Sequence, residues 1–171
     1  MATSVPANAL LTADELLAMN ASISTGYVEG QAVEAGSGET VIGRDKVSAT
    51  LATLKTHPGR VIAFFQPHGY GPLRQMGHEL AEVFARLLGP DDVTLLCDPV
   101  YFGGTVDRSE GSERIIRLIR EHGGKAEYIP SREECGRYMA QVARPGDRIV
   151  IMGARDDTLS LFAREVLASV G

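Results

Sequence analysis

The chain of 171 residues has no tryptophan, only two cysteines and no basic run. Its 17 Lys and Arg against 22 Asp and Glu give a formal net charge of −5, whereas nucleic-acid binding needs clustered positive charge. No segment reaches the roughly 18 apolar residues of a membrane span. The segment Met1–Asn20 has no Lys or Arg ahead of an apolar core, unlike a signal peptide. We therefore expect a soluble, cytoplasmic protein that binds neither nucleic acid nor membrane.

The two cysteines give no sign of a metal site. Cys97 lies in an apolar stretch and Cys135 in a helical one, with neither a C-x-x-C pair nor a histidine at ligand spacing. We expect both thiols to be reduced and mostly buried, and we expect no bound metal.

Four short apolar runs alternate with amphipathic segments after residue 59. The runs are Arg60–Gln66, Asp92–Cys97, Lys125–Ile129 and Asp147–Met152. Each is nearly continuous in apolar residues, as strands covered by helices on both faces are. The alternation predicts an α/β fold, namely a three-layer Rossmann-like domain with a mostly parallel sheet.

The segments between these runs have helical periodicity and helix-start signals. Ser131 and Glu134 form a capping box, and Asp45 is a candidate N-cap for a helix that ends near His57. A last helix is predicted over Thr158–Ser169, with Asp156 or Asp157 as its N-cap. The predicted buried positions are Leu80, Val83, Phe84, Leu87 and Leu88 in one helix, Ile115, Ile116 and Ile119 in the next, and Leu159, Phe162, Val166 and Leu167 in the last.

Upstream of residue 45 the pattern changes. Residues 1–25 are expected to be an extension, partly disordered, with a short helix opened by a capping box at Thr12, and residues 26–171 to form the domain. Tyr27–Glu34 and Glu39–Ile42 flank a Gly-rich turn, which predicts a hairpin and hence an antiparallel edge on the sheet. Gly38 and Gly43 have P-loop spacing but lack the lysine and the Ser or Thr that contact phosphate and magnesium.

The exit of the first predicted strand is the main candidate site. Ligands bind at the carboxyl ends of the strands in open parallel sheets, and the loop here carries Gln66, His68, Tyr70 and Arg74. His68 and Arg74 could bind an anion, and His68 could exchange protons near neutral pH. The alternative is that these polar side chains are only solvated or cap a helix.

Three segments together resemble a known family. The stretch Ala49–His68, with its Gln-Pro-His motif, is similar to the C-terminal domain of the Mur ligases, most of all the alanine-adding UDP-N-acetylmuramate type. Asp98-Pro-Val-Tyr101 resembles the next strand exit of that domain, and Gly146–Ala154 resembles its last strand. The resemblance implies a Rossmann-like module that helps to bind the incoming amino acid and the nucleotide. The complete ligases join an amino acid to a UDP-muramoyl carboxylate through an acyl phosphate, with ATP and magnesium.

The chain also departs from the family pattern. Glu39–Arg44 stands where the family has Asp-Tyr-x-His-His-Pro, and Gly69 and Pro72 stand where it has arginines. The phosphate loop of the family's central ATPase domain is missing, so phosphoryl transfer has no machinery here.

We therefore expect a stand-alone binding domain with no catalytic residue and no cofactor of its own. The complete enzyme would need ATP, magnesium and the family's N-terminal and central domains on another chain. The alternative is a degenerate Rossmann-like module that binds another small ligand or a protein partner. The expected ligand-binding residues are Gln66, His68, Tyr70, Arg74, Asp98 and Tyr101.

Overall fold

The computed structural model describes residues 46–100, 107–153 and 156–170. The chain divides into two units, Met1–Thr56 and His57–Gly171. In the first unit, the described part is helix α1, Lys46–Lys55, within the helix predicted to end near His57. The predicted short helix, the hairpin, the Asp45 cap and the ligand residue Tyr101 lie outside the described residues.

The second unit is a parallel α/β sheet flanked by helices. The strands have the order β3-β2-β1-β4, and every neighbouring pair is parallel, which confirms the predicted fold class. Each strand lies within about one residue of its predicted bounds. The elements are β1 Val61–Gln66, α2 Tyr70–Leu87, β2 Val93–Leu96, α3 Ser112–Glu121, β3 Ala126–Tyr128, α4 Arg132–Val142, β4 Arg148–Gly153 and α5 Leu159–Ser169.

The alternation of side chains along the strands produces three layers. On one face, Phe64 packs on Phe162 of α5 with ring centroids 5.4 Å apart. On the other face, Phe65 meets Phe84 of α2 edge to face at 6.1 Å. Helices α4 and α5 therefore cover one face, and α2 and α3 pair with each other on the opposite one. The buried cluster on the α4 and α5 side contains Ile62, Phe64, Val93, Leu95, Cys97, Cys135, Met139, Phe162 and Val166.

The helices differ from the predictions in several details, and Leu80, Leu87, Leu88 and Leu159 are only partly buried. Leu167, predicted as buried, is 72 % exposed, because Phe162 and Val166 occupy the face of α5 that meets the sheet and Leu167 lies about 100° further round. Helix α2 begins at Tyr70, so Arg74 lies on a helix and not on a loop. Pro72 is compatible with this because the N–H groups of a first helical turn have no partner within the helix.

Helix α4 has the predicted cap. The Ser131 hydroxyl accepts a hydrogen bond from the Glu134 backbone N–H at 3.2 Å. The same hydroxyl donates to the carboxylate of Glu133 at 2.9 Å. The capping box predicted a different second bond, in which the Glu134 carboxylate accepts the Ser131 backbone N–H.

Neither cysteine forms a disulfide, and both are buried as predicted. Burial raises the pKa of the Cys97 and Cys135 thiols to about 12, so both remain protonated at neutral pH. Within the described ranges, no group of three or more His, Cys, Asp or Glu side chains is arranged to hold a metal ion. None of the helices in the same ranges is long and apolar enough to cross a bilayer.

The amino edge of the sheet is fixed by two aspartates. The Asp147 carboxylate binds Arg60 at 2.6 and 3.1 Å and accepts the Arg144 backbone N–H at 2.8 Å. Arg60 also donates to the Val142 carbonyl at 2.6 Å. The buried Asp92 accepts the backbone N–H of Val61 and of Gly89, both at 2.7 Å. These contacts secure the start of β1 and the loops that precede β2 and β4.

Candidate functional site

The order of the strands creates a switch point beside β1. Strands β2 and β3 follow one another on one side of β1, and β4 returns to the other side. In open parallel sheets the crevice for ligands lies at such a point, outside the carboxyl ends of the strands. A ligand site is therefore expected at the exits of β1 and β4.

Gln66, the last residue of β1, is fully buried at this point. Its Nε2 donates to Oδ2 of Asp156 at 2.6 Å, while its buried Oε1 accepts no hydrogen bond from the described residues. Gly153 of β4 is its partner in the sheet. A Cβ at Gly153 would lie 3.0 Å from the Gln66 carbonyl oxygen, so a glycine is needed where the two exits converge.

Asp156 is the centre of the polar contacts at the switch point. Besides the Gln66 amide, its carboxylate accepts Arg132 Nη1 at 3.1 Å, the Thr158 backbone N–H at 2.9 Å and the Thr158 hydroxyl. The Thr158 hydroxyl first, and then the Gln66 amide, lower the Asp156 pKa to about 2. Asp156 is therefore ionised at neutral pH. The prediction of Asp156 or Asp157 as N-cap was wrong, because Thr158 holds that position in α5.

Arg132 joins the exit of β3 to this group. As the first residue of α4, it donates to the Thr158 hydroxyl at 2.9 Å as well as to Asp156. Its guanidinium carbon lies 5.3 Å from the centre of the Phe162 ring, a distance at which a cation is attracted to the ring face. Sequence reasoning missed Arg132 and Thr158, and the position of Asp156 just after a predicted strand was the one available signal.

Asp98 forms a second polar group at the exit of β2. It accepts the Tyr128 hydroxyl at 2.6 Å. Burial first, and then this hydrogen bond, raise the pKa of Tyr128, so the phenol stays protonated. The Val100 backbone N–H donates to the Pro67 carbonyl at 3.2 Å, which links the exits of β2 and β1.

The remaining predicted residues surround these two groups. Tyr70 is buried at the start of α2. Its ring packs against Gly111, where an added Cβ would lie 3.3 Å from Tyr70 Cε1. His68 is half-buried in the short loop between β1 and α2. Arg74 lies on the exposed surface of α2, where its Nη1 binds Asp107 at 2.7 Å. The structure thus places Gln66 with Asp156 and Asp98 with Tyr128, and it pairs Arg74 with a surface carboxylate.

The surface formed by the described helices has open grooves. A groove of about 710 Å³ runs between α3 and the edge strand β3 and reaches Tyr128, the donor to Asp98. Another of about 430 Å³ lies along α2 beside His122. Gln66 and Asp156 line neither of these grooves.

Known proteins share this sequence and fold. The family model described as Mur ligase, glutamate ligase domain, matches residues 44–155. A UDP-N-acetylmuramate–L-alanine ligase of Pelotomaculum thermopropionicum is 35 % identical over 113 residues, which are 65 % of this chain and 24 % of that protein. The ligase of the same name from Agrobacterium fabrum is 34 % identical over 117 residues, 66 % of this chain and 24 % of its own. The chain spans about a quarter of the length of these relatives.

A solved structure shows the same fold. It is a domain assigned to a UDP-N-acetylmuramate:L-alanyl-gamma-D-glutamyl-diaminopimelate ligase from Haemophilus ducreyi. It matches with a TM-score of 0.50 and 18 % identity, over 74 % of this chain and 82 % of the other. By its sequence match over most of the folded unit, this chain belongs to the Mur ligase, glutamate ligase domain family and is related to the UDP-N-acetylmuramate ligases.

Proposed function

We propose that this chain is the substrate-binding part of a ligase that joins an amino acid, L-alanine first among the candidates, to UDP-N-acetylmuramate. The basis is its family and its relatives of that name. It would work in the synthesis of peptidoglycan precursors. The parts that bind ATP and magnesium and transfer the phosphoryl group would lie in the other three quarters of such an enzyme. This chain then binds and orients, and does not catalyse alone.

The observation that carries the proposal is the Gln66 amide at the switch point. A polar side chain at 0 % exposure whose oxygen has no partner among the described residues has a desolvation cost of about 1–3 kcal/mol. An apolar residue of similar size would avoid that cost. A role in recognising a ligand at the carboxyl edge accounts for its presence there.

The chemistry of the edge suits binding and not group transfer. Four of its ionisable groups form two pairs, Asp156 with Arg132 and Asp98 with Tyr128. Both cysteine thiols are buried and protonated. The described part of the edge therefore offers charged and polar groups for recognition.

The test is an NMR titration of the ¹⁵N-labelled chain with UDP-N-acetylmuramate, with L-alanine and with magnesium-ATP. The proposal expects shifts at Gln66, His68 and their neighbours. His68→Ala should weaken this binding at least threefold, and Arg74→Ala should also weaken it. Arg86→Ala, on the far part of α2, is the control and should bind as the unchanged chain does.

A second assay covers a site that other domains complete. A relative's ligase that lacks its matching C-terminal quarter is mixed with this chain, and ATP-dependent addition of L-alanine is measured. Activity that needs both polypeptides supports the proposal. Failure of both the titration and the complementation contradicts it.

The second candidate is a module of the same fold that binds an unrelated small ligand or a protein. It is favoured by the pairing of the arginines that border the edge, Arg74 with Asp107 and Arg132 with Asp156. Paired guanidinium groups bind a phosphorylated substrate less well than free ones. Under this alternative, all three ligands leave the spectrum unchanged and no ligase activity is restored.

A further inference from the structure

Four hydrogen-bond donors converge on the single carboxylate of Asp156. Gln66 Nε2 and Arg132 Nη1 bind Oδ2 at 2.6 and 3.1 Å. The backbone N–H and the hydroxyl of Thr158 both bind Oδ1. Each carboxylate oxygen therefore has two donors, and one of the four carries a full positive charge.

These donors come from three different parts of the chain. Gln66 ends β1, Arg132 begins α4 after β3, and Thr158 is the N-cap of α5. A guanidinium, an amide and a backbone N–H at a helix start are the groups with which proteins bind carboxylates and phosphates. If the Asp156 side chain were elsewhere, the same groups would form a binding site for a small oxyanion.

Gln66 gives an independent sign that the site serves a ligand. Its side chain is completely buried, yet its Oε1 has no donor among the described residues. An oxyanion cannot satisfy this acceptor, so the ligand that fits here carries an O–H or N–H donor beside its oxyanion. The Gln66 amide thus uses its donor but not its acceptor within the described residues.

We propose that this donor set is an oxyanion-binding site, which the Asp156 carboxylate fills in the absence of ligand and which a carboxylate or phosphate of the ligand takes over. The inference rests on the proposed function, since it names the ligand group that the carboxyl edge recognises. Asp156 is 17 % exposed, so a rotation of its side chain carries the carboxylate into water, where it is well solvated.

The exchange has a direct consequence for affinity. A ligand anion must displace Asp156, so small anions bind the unchanged chain weakly. Removal of the internal carboxylate leaves the donors unpaired, which destabilises the fold, and should let external anions bind and restore stability. An anion at ten times its Kd lowers the unfolding equilibrium constant about tenfold.

The experiment is a chemical rescue of Asp156→Ala with Asp157→Ala as the matched control. Asp157 is the next residue in the sequence, has the same charge as Asp156 and is exposed. Urea unfolding is followed at constant ionic strength with formate, acetate or phosphate replacing chloride. Asp156→Ala should be less stable than the unchanged chain. An anion at ten times its Kd should lower the unfolding equilibrium constant of this variant about tenfold. The same anion should shift the NMR resonance of the Gln66 side-chain amide. Rescue led by formate and acetate identifies a carboxylate site, and rescue led by phosphate identifies a phosphate site.

Equal responses of Asp156→Ala, Asp157→Ala and the unchanged chain to all three anions overturn the inference. If Asp156→Ala stays unfolded at every anion concentration, Asp156→Asn is titrated with the same anions. Binding no tighter than that of the unchanged chain then rejects the site. Neither result bears on the titration with UDP-N-acetylmuramate, L-alanine and magnesium-ATP, so the two proposals fail separately.

Discussion

The two edges of the sheet each have an aspartate paired with an arginine, and they use the pair differently. At the amino edge, Arg60 and Asp147 bind each other through two hydrogen bonds, and their remaining contacts are to backbone groups. At the carboxyl edge, Asp156 accepts side-chain donors from distant segments, and Gln66 Oε1 has no partner in the described part of the chain. The amino edge thus fixes the backbone, while the carboxyl edge keeps polar capacity for recognition.

This contrast agrees with the general anatomy of open parallel sheets, whose ligands bind at the carboxyl ends of the strands. It also predicts how substitutions divide. Changes at the amino edge should lower the free energy of unfolding, whereas at the carboxyl edge a change of Gln66 should alter binding more than stability.

The largest effect on stability is expected from Gly59→Ala at the amino edge. Gly59 has φ of +113°, and a Cβ there would lie 2.5 Å from the Gly146 carbonyl oxygen. Both the backbone strain and the clash involve main-chain atoms, which cannot rotate away. The free energy of unfolding should fall by about 2–4 kcal/mol, measured by urea denaturation.

Gly71→Ala is the matched control at the carboxyl edge. Gly71 lies in the first turn of α2, and a Cβ there meets nothing within 4 Å. Alanine should leave stability unchanged or raise it by about 0.5 kcal/mol. Equal losses in the two variants would show that backbone strain does not distinguish the edges.

The next largest effect is expected from Asp147→Ala. Side-chain exposures of 17 % for Arg60 and 8 % for Asp147 mean that the variant leaves a largely buried guanidinium without its carboxylate. The loss should be about 2–3 kcal/mol. The control is Asp107→Ala, because Asp107 forms an equally short pair with Arg74 but with 59 % and 42 % exposure. That loss should be much smaller, because solvent screens an exposed pair, and a similar loss in both would contradict the role of burial.

The strands were predictable because their residues are covered on both faces. Runs such as Val61–Gln66 are nearly continuous in apolar residues, and their short length and β-branched and aromatic content favour a buried strand over a helix. The start of α2 was not, since Gly69, Gly71 and Pro72 indicate a loop in sequence terms although the first turn of a helix accepts them. The same local sequence is compatible with a loop and with a first helical turn, and the burial of Tyr70 favours the helix.

The candidate site was predictable only in part, for a similar reason. Gln66 stands out because it ends an apolar strand. Its partner Asp156 is 90 residues away in sequence, and Arg132 is 24 residues from Asp156. Contacts over such separations depend on the strand order. The apolar pattern of β1 or of β4 does not predict that the two strands are neighbours.

A smaller effect is expected from acid. The folded-state pKa of Asp156 is lowered to about 2, below the ordinary value of about 3.9 in an unfolded chain. The unfolded state therefore takes up a proton first, and the stability contributed by this carboxylate is present above pH 4 and is lost as pH falls towards 2. The difference in unfolding free energy between the unchanged chain and Asp156→Asn should shrink by about 1–2 kcal/mol from pH 5 to pH 2, measured by urea denaturation. A constant difference over this range would show that Asp156 is not held ionised.

The smallest effect on stability is expected from Gln66→Leu, although it replaces a fully buried residue. Leucine removes the bond to Asp156, a loss of about 1.5–3 kcal/mol for a charged acceptor, and it also removes the unpartnered Oε1, a gain of about 1–3 kcal/mol. The two changes nearly cancel, so the free energy of unfolding should move by less than about 1 kcal/mol, while the NMR shifts caused by a ligand at the carboxyl edge should disappear. Gln141→Leu, on the exposed side of α4, is the control and should change neither. A loss of several kcal/mol in Gln66→Leu would instead make Gln66 a structural residue like those of the amino edge.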